Sequence, residues 1–130
     1  MDQGTRHVLT VISHEDAGVT IIKLHGSLSA TTAEQGTQEI KKILDRGAKK
    51  VVINLADIDY ISSGGIRVLI LTCKQLSNVQ GVMKIAAAKG MVKEVLAASG
   101  FDLLTRVYGE NIQLCNTEEE AVGAFNPHDS

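Results

Sequence analysis

Two adjacent serines, Ser62 and Ser63, have the clearest chemical potential in the chain, and they are followed directly by Gly64 and Gly65. They stand between an apolar stretch typical of a buried strand and a segment with helical periodicity. This position predicts a hydroxyl at a helix N-terminus, where free backbone N–H groups and the helix dipole favour negative charge. A phosphate would fit there and would change the surface charge strongly. The pattern therefore indicates a phosphorylation switch.

Other roles are open for the same residues. Ser63 could act only as an N-cap, a role worth about 1 kcal/mol of helix stability. Ser62 could be the cap instead and leave Ser63 free. Arg67 lies one helical turn after Ser63, so it would either meet a phosphate or a partner carboxylate, or remain solvated.

Enzymatic and metal chemistry have little support. The glycine pair lacks the wider spacing of a phosphate-binding loop. None of the four histidines is placed to activate a serine, and Asp57 and Asp59 are interpreted as solvated loop residues. Cys73 and Cys115 share no zinc or disulfide spacing. We expect no enzyme activity, no metal and no cofactor.

The composition points to one domain spanning 1–130, with its core over about 8–125. The 130 residues include 44% hydrophobic and 22% charged side chains, with a net charge of −2, which is ordinary for a globular chain. Without a basic cluster, and with only 3% aromatic residues, nucleic-acid binding is not expected. The apolar runs are too short to cross a bilayer and no signal-peptide pattern is present, so a cytoplasmic location without membrane partners is expected.

The apolar periodicity predicts an α/β fold in the order β-β-α-β-α-β-α-β-α. Such alternation favours a mixed, mostly parallel sheet with helices packed on it. Capping boxes are predicted at Thr31-x-x-Glu34 and at Thr117-x-x-Glu120. The predicted strands cover 8–12, 19–24, 50–55, 82–87 and 112–115, and the predicted helices cover 31–47, 65–76, 92–96 and 117–125.

With this order, the chain resembles the STAS domain family, whose best-known soluble members are bacterial anti-sigma factor antagonists. Residues 57–65 are similar to the family's signature of hydrophobic residues, an acid, a phosphorylated serine, a small residue and glycine. Residues 24–29 are similar to its leucine-x-glycine-x-leucine-aspartate segment. On this match the phosphoacceptor is Ser63. Three positions where the family often has Asp carry neutral residues, namely Ser29, Asn54 and Ser62.

The resemblance implies a STAS-type fold and a non-enzymatic partner switch. The unmodified protein would bind an anti-sigma factor that is also a serine kinase, and phosphorylation of Ser63 would release it. A phosphatase of the PP2C type would reset the switch. The predicted partner surface consists of Ser29, Asp59, Ser62, Gly64, Gly65 and Arg67.

A different class of function remains open beside this one. The neutral residues Ser29, Asn54 and Ser62 also fit a nucleotide-sensing or small-ligand-sensing module. Such a module would bind its ligand at the same surface and would never be phosphorylated.

Overall fold

One sheet with the strand order β1-β2-β3-β4-β5 organises the part of the chain that the structure describes. The structure is a computed structural model and describes residues 8–101 and 112–125. β1 is antiparallel to β2, and the other neighbouring strands are parallel. The strands are β1 (Leu9–Asp16), β2 (Val19–Leu28), β3 (Lys50–Ile61), β4 (Val82–Ala86) and β5 (Gln113–Cys115), and the helices are α1 (Ala33–Leu44), α2 (Ser63–Ser77), α3 (Gly90–Ala98) and α4 (Glu118–Phe125). The predicted fold class and element order are confirmed.

The hairpin between β1 and β2 turns at Ala17 and Gly18. Both residues have positive φ, of 54° and 81°, as a tight two-residue turn between antiparallel strands requires. Asp16 then pairs with Val19. The polar turn before a run of β-branched residues thus sets the register of the first two strands.

The central strand β3 is covered on both faces, and its segment 51–55 is fully buried. Helices α1, α2 and α3 share one core with β2 and β3, which includes Leu24, Ile40 and Leu69. Helix α4 packs on the opposite face, where Ala121 meets Val52 and other small residues. Burial on both faces explains why β3 reads as a continuous apolar run.

β3 is longer than its apolar run predicts, because β2 continues beside it. Gly26 pairs with Ile58 and Leu28 pairs with Ile61, with register irregularities between these pairs and those that precede them. Asp57 therefore lies in a strand, as does Asp59, and the loop interpretation is wrong. Both side chains are nevertheless exposed.

The first predicted capping box is wrong by one residue. Helix α1 begins after Thr32, which has no side-chain capping bond. The Thr32 hydroxyl instead donates to Ser27 O at 2.9 Å and accepts from Ser29 N at 3.0 Å. These bonds fold the loop before the helix, and Thr31 and Glu34 form no capping box.

Of the second predicted capping box, one of the two bonds is confirmed. Glu120 N donates to Thr117 Oγ1 at 3.0 Å, which satisfies one free N–H at the start of α4. The Glu120 carboxylate accepts from Asn116 N at 2.7 Å, one residue before the position expected for a capping box.

Candidate functional site

The start of α2 is held against the end of β2 by backbone bonds. Ser62 is the N-cap residue with extended backbone, and Ser63 is the first helical residue. Ser62 N donates to Leu28 O at 3.1 Å, and Ser62 O accepts from Ile66 N at 3.0 Å. The turn from strand to helix is therefore fixed without help from either serine side chain.

Neither serine hydroxyl caps the helix. The reading of Ser63 as the N-cap is wrong, because the helix begins at Ser63 itself, two residues before the predicted Gly65. Ser62 occupies the cap position, but its side chain makes no capping hydrogen bond. Ser63 is exposed and Ser62 is half-buried. The exposed hydroxyl at the helix start is thus the one that the sequence singled out as phosphoacceptor.

Gly64 and Gly65 let the loop after β2 lie directly on the helix start. A Cβ at position 64 would stand 2.6 Å from the backbone N and Cα of Ala30. At position 65 it would stand 2.0 Å from Leu28 O. A side chain at either position would displace the backbone of that loop. The glycines therefore serve close approach of a neighbouring segment rather than a nucleotide-binding motif.

Ser29 belongs to this loop and is 5% exposed. Its backbone O accepts from Thr32 N at 3.1 Å, and its backbone N donates to the hydroxyl of the same threonine. Within the described residues its own Oγ has no hydrogen-bond partner. Ser29 therefore supports the loop beneath the surface at the start of α2 and has little area that a partner could contact.

A groove of about 480 Å³ runs along the start of α2 and reaches α3. It is lined by Ser63, Gly64, Ile66, Arg67, Ile70 and Ser99. Three residues of the predicted partner surface, Ser63, Gly64 and Arg67, therefore line one groove. The exposed Asp59 on β3 does not line the groove.

Sequence reasoning did not anticipate Ser99. This residue is the C-cap of α3, and its hydroxyl donates to Leu96 O at 2.8 Å. It reaches the groove only because α3 packs beside α2. No spacing in the sequence links Ser99 to Ser63.

The electrostatics of the groove favour an anion. The first turn of α2 contains no acidic residue, so the positive end of its dipole is not neutralised. Arg67 is exposed and forms no ion pair within the described ranges. A phosphate on Ser63 would meet no carboxylate in that turn.

The family model for the STAS domain matches residues 10–121 of this chain. The chain belongs to the STAS domain family. A protein of Bordetella bronchiseptica, BtrV, named as a candidate anti-sigma factor antagonist, is 38% identical over 108 residues, which cover 83% of this chain and 87% of BtrV. The resemblance inferred from the sequence is confirmed.

Two solved structures share the fold of this chain. An anti-sigma factor antagonist from Mycobacterium paratuberculosis superposes with a TM-score of 0.78 at 20% identity, covering 92% of this chain and 95% of that one. The Bacillus cell fate determinant SpoIIAA in its phosphorylated form gives a TM-score of 0.63 at 20% identity, covering 89% of this chain and 99% of that one. At this identity the likeness concerns the fold alone.

Asn54 has a structural task in this STAS domain. It is 6% exposed, its Oδ1 accepts from Ala56 N at 2.8 Å, and its Nδ2 donates to Glu118 on α4. It therefore fastens α4 to the face of the sheet opposite α2. Asn in place of the Asp common in the family therefore affects the contact with α4 and not the groove at Ser63.

The described residues contain no group of three or more His, Cys, Asp or Glu side chains that could hold a metal ion. None of their helices combines the length and the apolar character needed to cross a bilayer.

Proposed function

We propose that this STAS domain is an anti-sigma factor antagonist that works as a non-enzymatic partner switch in the cytoplasm. Its unmodified form binds an anti-sigma factor through the groove at the start of α2. Phosphorylation of Ser63 by that factor, acting as an ATP-dependent serine kinase, ends the binding. A PP2C-type phosphatase restores the unmodified form.

One observation carries the proposal: the exposed Ser63 hydroxyl lies at the first residue of α2 and at the rim of a groove that also contains Arg67. A kinase can reach such a hydroxyl without unfolding the domain. The half-buried Ile70 in the same groove supplies apolar surface that a bound partner would bury. Modification and docking therefore concern the same few residues.

The phosphate acts on the partner rather than on the fold. It adds a charge of about −1.5 to −2 at neutral pH, which the helix dipole and the absence of acids in the first turn tolerate. A partner surface that was complementary to a neutral serine would instead face an unpaired, desolvated charge. The switch thus changes binding while leaving the domain folded.

Relatives support the same reading. BtrV, which is similar over most of its length, is named as a candidate anti-sigma factor antagonist, and SpoIIAA, which shares the fold, has a phosphorylated form. In this chain Ser62 replaces an acid next to the acceptor, so a kinase would recognise a less acidic segment. Asp59 remains exposed on β3 and supplies a negative charge at the edge of the surface.

The test combines phosphate mapping with binding. The protein is incubated with the anti-sigma factor from its genomic neighbourhood and ATP, phosphate is located by mass spectrometry, and affinity is measured before and after. We expect phosphate on Ser63 and affinity at least about tenfold weaker afterwards. Ser63→Ala should bind without being modified, whereas Ser62→Ala, the matched control, should still accept phosphate on Ser63 and lose affinity when it does. Phosphate elsewhere, or binding that phosphate leaves unchanged, would refute the switch.

A sensing module is the second candidate, favoured by the volume of the groove and the unpaired Arg67 in it. Such a module would bind a nucleoside triphosphate without any kinase. A ligand that binds only the folded state must raise the melting temperature, and Arg67→Gln should reduce that rise. No shift with nucleotides at millimolar concentration would remove this candidate.

A further inference from the structure

Strand β1 forms an open edge within the described sheet. Val8 O accepts from Ser27 N at 2.9 Å, and successive residues of an antiparallel strand alternate between bonding the neighbouring strand and pointing away from it. The backbone groups of the even-numbered residues of β1 therefore form hydrogen bonds with β2. The backbone groups of the odd-numbered residues point outward, and one of them, Leu9 O, accepts a bond from Gln35 Nε2 at 2.8 Å. Val11, Ser13 and Glu15 are left facing away from β2.

β1 lacks several of the usual protections of an edge strand, although its last two residues, Glu15 and Asp16, are charged. Such strands commonly carry lysine or proline, or are very short. β1 spans eight residues and contains neither type. Its Ile12 is also 55% exposed on the face turned away from α1. This edge is therefore suited to pairing with another strand.

Charged side chains line the same edge on the α1 side. A groove of about 310 Å³ is bounded by Val11, Ser13, Glu39, Lys42, Ile43 and Arg46. Lys42 and Arg46 form no ion pair within the described residues, whereas the Glu39 carboxylate accepts a bond from Gln35 Nε2 at 2.8 Å. The groove thus offers two unpaired cations beside the open backbone.

We propose that this edge pairs antiparallel with the same edge of a second copy of the chain. Because Leu9 O is already occupied, the register that uses the three free residues sets Val11 opposite Glu15 of the second copy, and Ser13 opposite Ser13. Each such pair exchanges two N–H···O bonds. The two sheets then continue into one another around a twofold axis at Ser13.

The charges at this edge are complementary to those of a second copy, which favours a second copy as the partner. In this register each Glu15 lies beside Val11 of the other copy, and so enters the groove that contains Lys42 and Arg46. On the other face Ile12 lies opposite His14 of the second copy and loses exposed apolar surface. In the single chain the Glu15 carboxylate accepts one bond, from Thr20 Oγ1 at 2.8 Å, which leaves its other oxygen for the pair.

Self-pairing at β1 does not depend on the proposed switch. The segment from Val11 to Glu15 pairs with Leu24 to Thr20 of β2, whereas the start of α2 is anchored at Leu28 O. The groove at Ser63 thus stays accessible in the dimer. Two strand edges bury less than the roughly 1,600 Å² of a standard interface, so the dimer should be weak and concentration-dependent.

Sedimentation equilibrium up to about 1 mM protein tests the proposal. We expect reversible dimers that weaken with salt, because the Glu15 pairs are partly exposed. Ser13→Pro should abolish them, since it removes an outward N–H without touching the β2 ladder, while the matched control Ser13→Ala should keep them. A wild-type chain that remains monomeric over this range overturns the proposal.

Charge reversal provides a second, independent test. Glu15→Lys should weaken dimerisation at least about tenfold. Combining it with Lys42→Glu and Arg46→Glu should restore the dimer. Circular dichroism and urea unfolding of each variant check that the fold is retained. Dimers that survive both Ser13→Pro and Glu15→Lys must form elsewhere and would also overturn the proposal.

Discussion

Asn54 in β3 donates a hydrogen bond from Nδ2 to Oε1 of Glu118 in α4 at 2.8 Å. The bond joins the central strand to the last helix, and Lys84 stands 4.6 Å from the centre of the Phe125 ring at the other end of that helix. Because Asn54 is buried, this bond satisfies its amide donor and one oxygen of the Glu118 carboxylate. An Asp at this position would bring two carboxylates together.

The variant Asn54→Asp should therefore lower the free energy of unfolding by about 2 kcal/mol at neutral pH, because a donor is lost and two like charges meet. Urea unfolding measures the change. Glu118→Gln should be mild alone, and in the double variant it should recover most of the loss by supplying an amide donor to the new carboxylate. Additive losses in the double variant would show that the two residues are not coupled.

Replacement of Gly65 tests the close approach of the β2 end to α2. Gly65→Ala places a Cβ against Leu28 O and should destabilise the domain by about 3 kcal/mol, as strain in a packed region does. Gly123→Ala is the matched control, because Gly123 is exposed in α4 and a Cβ there meets nothing within 4 Å. That change should stabilise by about 0.5 to 1 kcal/mol through helix propensity. Equal effects at both positions would contradict the packing described for α2.

The effect of a negative charge at the start of α2 on stability can be measured without a partner. Ser63→Asp should stabilise the domain by about 0.5 kcal/mol relative to Ser63→Asn, because only the former adds negative charge to the positive end of the helix dipole. Thermal unfolding at low ionic strength provides the comparison, and high salt should reduce the difference. If the aspartate variant is the less stable one, a phosphate at this position would disturb the fold as well as the partner.

The thiol of Cys115 links stability to alkaline pH. Burial of Cys115, followed in size by the charge of Glu120, raises the pKa of this thiol above its ordinary value of 9.0, while Lys84 lowers it. A raised pKa in the folded state gives stability that is present below the ordinary value and is lost as pH rises past it. The wild type should therefore lose stability relative to Cys115→Ala as the pH rises from below 9.0 to above it. A constant difference in the free energy of unfolding over that range would contradict the shift.

The strand and helix order was predictable from the sequence because it depends on local periodicity. Alternation of β-branched runs with helical spacing predicted all the described elements. A glycine with positive φ follows each of α1 and α3, at Gly47 and Gly100. Boundaries were less predictable. Thr32 rather than Thr31 precedes α1, since its hydroxyl bonds to the loop that holds Ser29, and such a bond has no signature in spacing.

By itself, the sequence determined the α/β order and the place of Ser63 at a junction between strand and helix, because both depend on residues that are close together in the chain. Only the tertiary structure decided that β3 runs to Ile61, that Gly65 lies against Leu28, that Ser99 joins the groove, and that Asn54 serves Glu118. Each of these contacts joins segments that are distant in sequence. Packing brings them together, and residue spacing along one segment carries no record of which distant segment will lie beside it.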